Sequence, residues 1–418
     1  MFKRLAAVAF IFVCTAIAWG ILGATILNRT HSRGNQLRGQ VQSIWGVAQT
    51  QSAPYGTYSV KAPSELTVVT EGTAKKIVET PKFAHHTIVP SASEIAVKLS
   101  LKHRKKGLLW YSTYTVDFQG DYVFQNNDPG PREVQLTLPF PAAQALYDDL
   151  QFVVDGQAVR PTVREDRAYV RINMSPQQSA KLRVAYRSQG LDNWRYSFGE
   201  KVNTVANFHL RMITDFKDID FPENTLSPNE KREAGGGWQL DWRYRNLLSG
   251  YQIAMAMPEK LQPGPLASEI SFFAPVSLFF FFFVLFIVAT LKNLEVHPMN
   301  YFFIAAAFFA FHLLLAYLVD HLNIYVSFSI ASAVSVLLVA SYLRIVIGSR
   351  FALREAALAQ FIYLVLFSFA FFFKGYTGLA ITVGAIVTLF VVMQMTGHVR
   401  WSERFAAAGP HPLPPARA

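Results

Sequence analysis

Few side chains in this sequence could do chemistry, and the best placed lie in or beside long apolar stretches. His312 falls within the stretch 300–319, and Asp320 and His321 follow directly after it. A histidine inside a membrane could move a proton or line a substrate path, and it could equally hydrogen-bond a neighbouring helix. Asp320 and His321 could form an acid–base pair, or they could end a helix where water reaches both. For all three residues we favour the structural interpretation.

The approach to the same stretch reads His297, Pro298, Met299, Asn300, Tyr301. Proline in the first turn of a helix lacks only an N–H that would have no helical partner there. The segment therefore predicts the start of a helix, and this role requires no chemistry.

Recognisable catalytic and metal-binding motifs are missing. The sequence has no glycine-rich phosphate loop, no His-Glu-x-x-His helix and no Gly-x-Ser-x-Gly turn. Its one cysteine, Cys14, can form neither an internal disulfide nor a multi-cysteine metal site. His85 and His86 are adjacent, so on a strand they point to opposite faces, which argues against a shared metal. We therefore expect no enzymatic activity, no metal and no cofactor.

Six long apolar stretches must position these residues, and Arg344 is the one charged residue within them. A helix rises about 1.5 Å per residue, so about 20 apolar residues cross a hydrocarbon core about 30 Å thick. This predicts a polytopic α-helical membrane protein with one span before and five spans after a large inserted domain. The predicted spans are 5–27, 270–291, 300–319, 324–347, 356–373 and 376–396.

The basic residues that flank the spans predict the orientation, because cytoplasmic loops carry an excess of Lys and Arg. With a cytoplasmic N-terminus, the short outer loops hold only Lys374. The predicted domains are then an anchor at 1–27, a periplasmic domain at 28–269 that begins with a stalk at 28–55, a five-helix bundle at 270–396 and a cytoplasmic, disordered tail at 397–418. The inner side holds Lys3, Arg4, Lys292, Arg344, Arg350, Arg354, Arg400, Arg404 and Arg417.

The net charge of +11 follows from this topology. Residues 28–269 contain 29 Lys and Arg and 24 Asp and Glu, which leaves +5, and the remainder of the chain carries the other +6. Most of this +6 is the excess of Lys and Arg on the cytoplasmic side of the membrane. Nucleic acid is therefore not an expected partner.

The inserted domain shows the period-two alternation of half-buried strands, as in Val134-Gln135-Leu136-Thr137-Leu138. Asp155-Gly156 predicts a tight hairpin, since both positions of a type I′ turn need positive φ. Many short strands predict a mainly antiparallel β-sandwich, with helix expected only at 37–46 in the stalk and at 142–150.

The first span has two interpretations. Lys3-Arg4, an apolar run and Ala16-Ile17-Ala18 are also features of a cleavable signal peptide. The apolar run continues to Leu27, however, whereas a cleavage site should be followed by a polar terminus. We favour an uncleaved anchor.

The segment from His297 to Tyr301, with Asp320-His321 and Ile330-Ala331-Ser332, resembles the CreD family of bacterial inner-membrane proteins. Trp45-Gly46 followed by Gln49 and Gln51 is similar to another family segment, although the expected Gly-Pro-rich continuation is absent. The resemblance implies a bacterial inner-membrane protein that supports cell-envelope integrity. It implies no catalytic residues.

Two further functions stay open beside envelope support with a partner-binding or sensing periplasmic domain. A small transporter or channel could use His312, and an enzyme is the least supported class. The expected partners are the lipid bilayer and, through the periplasmic domain, anionic lipid headgroups or envelope proteins. The basic run 102–106 beside Trp110 could rest on such headgroups or could form a solvated turn.

Overall fold

The structure is a computed structural model, and it describes residues 2–71, 74–107, 109–143, 145–199, 203–294, 296–373 and 375–399. Lys374 and the tail from 400 onward, which the sequence predicts to be disordered, lie outside these ranges. The chain divides into two compact units. The helical unit comprises 1–36, 107–109 and 261–418, and the β unit comprises 37–106 and 110–260.

The described residues contain six helices that are long and apolar enough to cross a membrane. Four are continuous: α1 (Phe2–Trp45), α2 (Pro263–Leu291), α3 (Pro298–His321) and α4 (Ile324–Val346). The fifth, Ser349–Phe372, is segmented, and the sixth is Thr377–Thr396. All six predicted spans therefore lie in helices of sufficient length.

The predicted start of α3 is confirmed, because Pro298 occupies its first turn. The Nδ1 atom of His297 accepts a hydrogen bond from the Met299 N–H at 3.2 Å and so caps the helix. Asn323 caps α4 in the same way, since its Oδ1 accepts from the Tyr325 N–H at 2.9 Å. These caps satisfy backbone donors that have no partner within the helix.

The fifth helix alternates between helical types, which the sequence did not predict. Two π-helical segments interrupt it, and its last turn is a 3₁₀-helix. Its segments are α-helical at Ser349–Phe351, π at Ala352–Ala356, α-helical at Ala357–Gln360, π at Phe361–Leu366, α-helical at Phe367–Phe369 and 3₁₀ at Ala370–Phe372. Such π turns occur often at functional sites.

The described strands of the β unit are β1 Gln49–Ser52, β2 Tyr55–Glu71, β3 Ala74–Ile88, β4 Ala92–Lys106, β5 Leu109–Gln125, β6 Arg132–Pro139, β7 Tyr147–Val154, β8 Gln157–Ala158, β9 Thr162–Arg164, β10 Arg167–Met174, β11 Ser179–Leu191, β12 Asn193–Ser197, β13 Asn203–Thr214, β14 Glu230–Ala234, β15 Gly237–Ser249 and β16 Ile253–Ala256. They form three sheets with strand orders β1-β12-β16, β3-β2-β6-β10-β9 and β14-β15-β13-β4-β5-β11-β7-β8. Most neighbours pair antiparallel, whereas β1 pairs parallel with β12 and β4 with β13.

The alternation predicted for Val134–Leu138 lies in β6, where Val134, Leu136 and Leu138 are 0% exposed but Thr137 is buried as well. A clearer alternation, which the sequence analysis did not single out, is present in β4 of the eight-stranded sheet. Ile95, Val97 and Leu99 are buried in the core, whereas the intervening Glu94 and Lys98 are exposed. One face of this sheet is therefore packed and the other faces water. The hairpin is also confirmed, since Asp155 and Gly156 have φ of 49° and 83° between β7 and β8.

Two local expectations differ from the structure. The helix predicted at 142–150 is wrong, because Tyr147–Val154 is a strand that pairs with β11 and buries Phe152 and Val154. Pairing and burial here outweigh local helix propensity. The stalk helix predicted at 37–46 is the end of the unbroken α1, which continues to Trp45 before β1 starts at Gln49.

Candidate functional sites

His312 is enclosed in the helical unit, with 1% of its surface exposed. Its ring lies 5.5 Å from the Trp19 ring and 4.8 Å from the Phe311 ring, near-perpendicular to both. The Nδ1 atom lies 3.0 Å from the Phe308 carbonyl oxygen. Since a carbonyl only accepts, Nδ1 carries the proton and Nε2 is left as an acceptor. Nε2 has no hydrogen-bond partner among the described residues.

Asp320 and His321 do not form an acid–base pair. The carboxylate of Asp320 accepts a hydrogen bond from Arg29 of α1 at 3.1 Å, and the same Arg29 nitrogen donates to the Ala316 carbonyl at 3.1 Å. His321 is exposed at the end of α3. Sequence reasoning missed Arg29, although a lone charge just beyond the first apolar stretch was a usable signal.

The residues of the His297 segment lie at the other end of α3. Fifteen residues separate His297 from His312, so they are about 22 Å apart along the axis and cannot share a site. His297 and Met299 are exposed, whereas Pro298 and Tyr301 line an apolar groove of about 450 Å³ between α1 and α2. Other lining residues are Leu5, Val8, Phe12, Phe279, Phe282, Phe283, Phe286 and Leu294.

A short polar chain links α3, α4 and the segmented helix. The Gln360 amide nitrogen donates to Ser335 Oγ at 2.9 Å, and Ser335 donates to the Ala307 carbonyl at 2.7 Å. Gln360 is fully buried, and its Oε1 has no partner among the described residues. The Gln360 amide therefore bonds across helices, from the segmented helix to α4. Ser327, Ala331 and Ser335 share one face of α4 at i, i+4 and i+8, and each is 0% exposed.

A cleft of about 530 Å³ opens in the β unit where the start of β2, the β3–β4 connection and the start of β13 meet. Its walls are rich in aromatic and proline side chains, with few polar groups. This is the composition of sites that bind apolar or aromatic groups. The lining residues are Ser52, Ala53, Pro54, Tyr55, Val89, Pro90, Ser93, Pro139, Tyr196, Phe198, Gly199, Thr204, Val205 and Phe208.

A charged cluster lies on the outer face of the eight-stranded sheet. His209 Nδ1 is 2.6 Å from Glu94 Oε1, and His209 Nε2 is 2.8 Å from Asp241 Oδ1. Burial raises the pKa of Asp241, but hydrogen bonds from Gln239, His209 and Arg211 outweigh burial and lower that pKa to about 2. Both ring nitrogens face carboxylates, so the imidazole has no free nitrogen to act as a base.

The metal-ligand side chains of the described residues form no group of three or more that could hold an ion. The histidines discussed above therefore do not combine into a metal centre within those ranges.

The family profile described as inner membrane protein CreD matches residues 1–402. The chain belongs to the CreD family. This confirms the resemblance drawn from the His297 segment, and it makes the six apolar helices those of an inner-membrane protein family.

No curated protein matches this CreD chain significantly. Among solved structures, a protein described as nutrient binding from Legionella pneumophila is 10% identical, with a TM-score of 0.32, and the match covers 47% of this chain and 74% of that one. An M1 zinc metallopeptidase from Deinococcus radiodurans is 12% identical, with a TM-score of 0.24, over 40% of this chain and 42% of that one. These scores are too low to support a shared fold.

The Trp45-Gly46 segment of this CreD chain explains two residues that sequence reasoning left without a role. Gln51 is fully buried: its Oε1 accepts from the Tyr186 hydroxyl at 2.6 Å, and its Nε2 donates to the Pro139 carbonyl at 3.1 Å. Gln49 donates to Ser188 Oγ at 2.7 Å. Together they attach β1, and with it the end of α1, to the β unit. The signal was two glutamines at a spacing of two, which places both on one face of a strand.

Gly46 is required at the turn between α1 and β1. Its φ is +89°, and a Cβ at this position would lie 2.7 Å from the Gln189 carbonyl oxygen. Only glycine combines this backbone conformation with so close an approach.

Proposed function

We propose that this CreD-family protein is a non-enzymatic, six-span protein that supports the cell envelope by binding a partner through its β unit. In this proposal both termini are cytoplasmic and residues 28–269 are periplasmic, with the strands packed as a sandwich. The partner is an envelope protein, and anionic lipid headgroups are a second class of contact. The positive-inside bias supports the orientation.

Packing of α1 supports an uncleaved anchor. Trp19 is 0% exposed and contacts the His312 ring, and Ser268 Oγ donates to the Gly23 carbonyl at 2.9 Å. Cleavage after Ala18 would leave Trp19 as a charged N-terminus among these contacts. We expect mass spectrometry of the purified protein to find residues 1–18 present. Their absence would show that the first span is a signal peptide.

The aromatic cleft of the β unit is the observation that carries partner binding. Its volume of about 530 Å³ lies within the usual range for binding sites, about 300–1,000 Å³. Tyr55 of β2, Phe208 of β13 and Phe198, which directly follows β12, give it large apolar walls. Such side chains contribute strongly to the free energy of binding when a partner covers them.

The test is complementation of a gene deletion, read as sensitivity to detergent and uptake of a large dye. We expect the wild-type gene to restore resistance and Thr204→Arg, which fills the cleft from an exposed position, to fail at equal membrane abundance. Thr162→Arg is the matched control, because Thr162 is exposed on β9 away from the cleft. An unchanged envelope in the deletion strain under several stresses would refute envelope support. Full rescue by Thr204→Arg would refute partner binding in the cleft.

Reporter fusions at residues 200, 295 and 410 test the orientation separately. We expect a periplasmic signal at 200 and cytoplasmic signals at the other two positions. A cytoplasmic signal at 200 would invert the topology.

A second candidate function is transport through the helical bundle. The unpaired atoms His312 Nε2 and Gln360 Oε1 favour it, because buried polar groups in membranes often serve a path. Flux into liposomes that depends on His312 would support transport. The absence of flux for every tested solute would count against it.

A further inference from the structure

We propose that the tip of the β4–β5 hairpin binds anionic phospholipid headgroups, through a site that we call the tip patch. The tip patch consists of Lys105, Lys106, Trp110 and Lys260. The inference rests on the proposed membrane topology and specifies one contact of the β unit with the bilayer.

Three of the four tip-patch residues are adjacent in the chain to the unit that contains the spans. The chain passes between the β unit and the helical unit at four places, which are 36/37, 106/107, 109/110 and 260/261. Lys106, Trp110 and Lys260 each occupy the β-unit side of one of these crossings. Residues 107–109, between Lys106 and Trp110, belong to the unit that contains the spans.

A contact within the helical unit locates Leu109, the residue before Trp110, along α1. A Cβ on Gly34 of α1 would lie 3.0 Å from Leu109 Cδ1, so the two residues are neighbours. Gly34 is seven residues beyond Leu27, the last residue of the apolar stretch, which is about 10 Å along the helix. The headgroup region extends about 5–8 Å beyond the hydrocarbon, and lysine side chains reach further toward it.

The chemistry of the tip patch suits a phosphodiester. Lys260 Nζ lies 4.3 Å from the centre of the Trp110 ring, and tryptophan is enriched at membrane interfaces. Lys105 is exposed and Lys106 half-buried. None of the three lysines forms a salt bridge to another described residue, so each charge is available to a ligand. A negatively charged leaflet attracts such residues within a Debye length of about 8 Å.

Arg104 is not part of this site, although it continues the same basic run. Its guanidinium lies 3.2 Å from the centre of the Trp45 ring.

The β14–β15 hairpin offers a matched comparison. Lys231 Nζ lies 3.9 Å from the centre of the Trp238 ring, so the same lysine–tryptophan pair is present. Its neighbours are neutralised, because Arg232 pairs with Glu230 and Lys217 pairs with Glu233. In the sequence, the turn of this hairpin is more than 20 residues from each of the four chain crossings. If lysine–tryptophan pairs were attracted to lipid in general, both hairpins would bind it. We expect only the β4–β5 hairpin to bind.

The single cysteine makes a direct test possible. The full chain carrying Cys14→Ser and Leu109→Cys is labelled with a fluorophore and placed in phosphatidylcholine nanodiscs. Quenching is compared between headgroup-proximal spin-labelled phosphatidylglycerol and the same label on phosphatidylcholine. We expect stronger quenching by phosphatidylglycerol, lost at high salt. The control probe, at Ala234→Cys in the β14–β15 hairpin, should show no preference.

Charge removal completes the test. Lys105→Gln with Lys106→Gln should lower the phosphatidylglycerol preference about 5-fold for each lysine, equivalent to about 1 kcal/mol each. Lys260→Gln should do the same alone, and Lys231→Gln with Arg232→Gln should leave the preference unchanged. Equal quenching by the two lipids, or an unaltered preference in both tip-patch variants, would overturn the proposal. Because the nanodisc assay needs neither the cleft nor an envelope phenotype, its failure is distinct from failure of the proposed function.

Discussion

Two buried glutamines, one in each unit, differ in how completely their side-chain amides are hydrogen-bonded. Gln51 in the β unit and Gln360 in the helical unit are both 0% exposed. Gln51 uses both ends of its amide, toward the Tyr186 hydroxyl and the Pro139 carbonyl. Gln360 uses its nitrogen, and its oxygen has no partner among the described residues. Among the described residues of the helical unit, the Trp19 indole nitrogen, His312 Nε2 and the hydroxyls of Ser327 and Ser332 are likewise unpaired. The β unit also leaves buried atoms unpaired, since Gln49 Oε1 and the Trp194 indole nitrogen have no partner among the described residues.

The difference follows from the solvent that each unit leaves when it folds. A strand residue gives up water, so every buried polar group must find a new partner or lose free energy. A transmembrane helix satisfies its own backbone, and side-chain hydrogen bonds between such helices contribute only about 0.6 kcal/mol on average. Polar pairing should therefore dominate stability in the β unit and contribute little in the helical unit.

Gln51→Leu should have the largest effect. It leaves the buried Tyr186 hydroxyl without a partner, which costs about 1–3 kcal/mol, and it removes the hydrogen bond to the partly buried Pro139 carbonyl, which contributes about 1 kcal/mol. We expect the free energy of unfolding of the β unit to fall by about 3 kcal/mol. The measurement is urea unfolding of the full chain in detergent, followed by tryptophan fluorescence.

Gln119→Leu is the control for this variant, since Gln119 is exposed on the outer face of β5. Its effect should stay within about 0.5 kcal/mol. A loss below about 1 kcal/mol for Gln51→Leu would contradict the role of the glutamine pair in attaching β1.

Asp241→Asn should have the next largest effect, and it should depend on pH. The pKa of Asp241 is lowered to about 2, so its carboxylate adds stability that is fully present above the unfolded value near 4 and is lost as pH falls toward 2. The contribution at neutral pH is about 2 kcal/mol. We expect Asp241→Asn to lose this amount at pH 7 and to show a flatter stability profile between pH 4 and about 2.

Asp166→Asn serves as the comparison, because Asp166 is 52% exposed in its pair with Arg167. Its removal should change stability by less than about 0.5 kcal/mol at any pH. An Asp241→Asn variant that keeps the wild-type acid profile would show that another group is responsible.

Local patterns predicted much of this fold because they depend on neighbours in the sequence. The Val134–Leu138 strand, the Asp155-Gly156 hairpin and the His297-Pro298 helix start all belong to this class. The α1 helix was predicted too short, since residues 28–45 are polar but contain no proline to end a helix. At 142–150, pairing with a distant strand prevailed over local propensity.

The candidate sites were less predictable because they join distant segments. Arg29 and Asp320 are 291 positions apart, and Gln51 and Tyr186 are 135 apart. The aromatic cleft takes residues from five separated segments between Ser52 and Phe208. No sequence pattern within one segment indicates which distant segment it will contact. Buried glutamines and a lone arginine at a span end were the only traces.

The Arg29–Asp320 ion pair should have an intermediate effect on stability. It tests whether a charged pair in the helical unit contributes more than the neutral polar pairs there. Both side chains are partly exposed, at 25% and 21%, so water and salt weaken the attraction. We expect a double-mutant cycle with Arg29→Gln and Asp320→Asn to give a coupling of about 1 kcal/mol that declines with added salt. A coupling above about 3 kcal/mol would place this pair with the buried networks of the β unit.

Gln360→Leu should have the smallest effect, although Gln360 is as buried as Gln51. The change removes an unpaired oxygen together with one hydrogen bond, and Ser335 keeps its bond to the Ala307 carbonyl. These two consequences oppose each other, so we expect the free energy of unfolding in detergent to change by less than about 0.5 kcal/mol. Gln360→Glu is the informative counterpart, because it places a carboxylate at the same buried position and should destabilise by several kcal/mol unless it is protonated. If Gln360→Leu instead destabilises as strongly as Gln51→Leu, then water or a ligand must donate a hydrogen bond to Gln360 Oε1 in the membrane. Losing a buried glutamine would then have the same cost in both units.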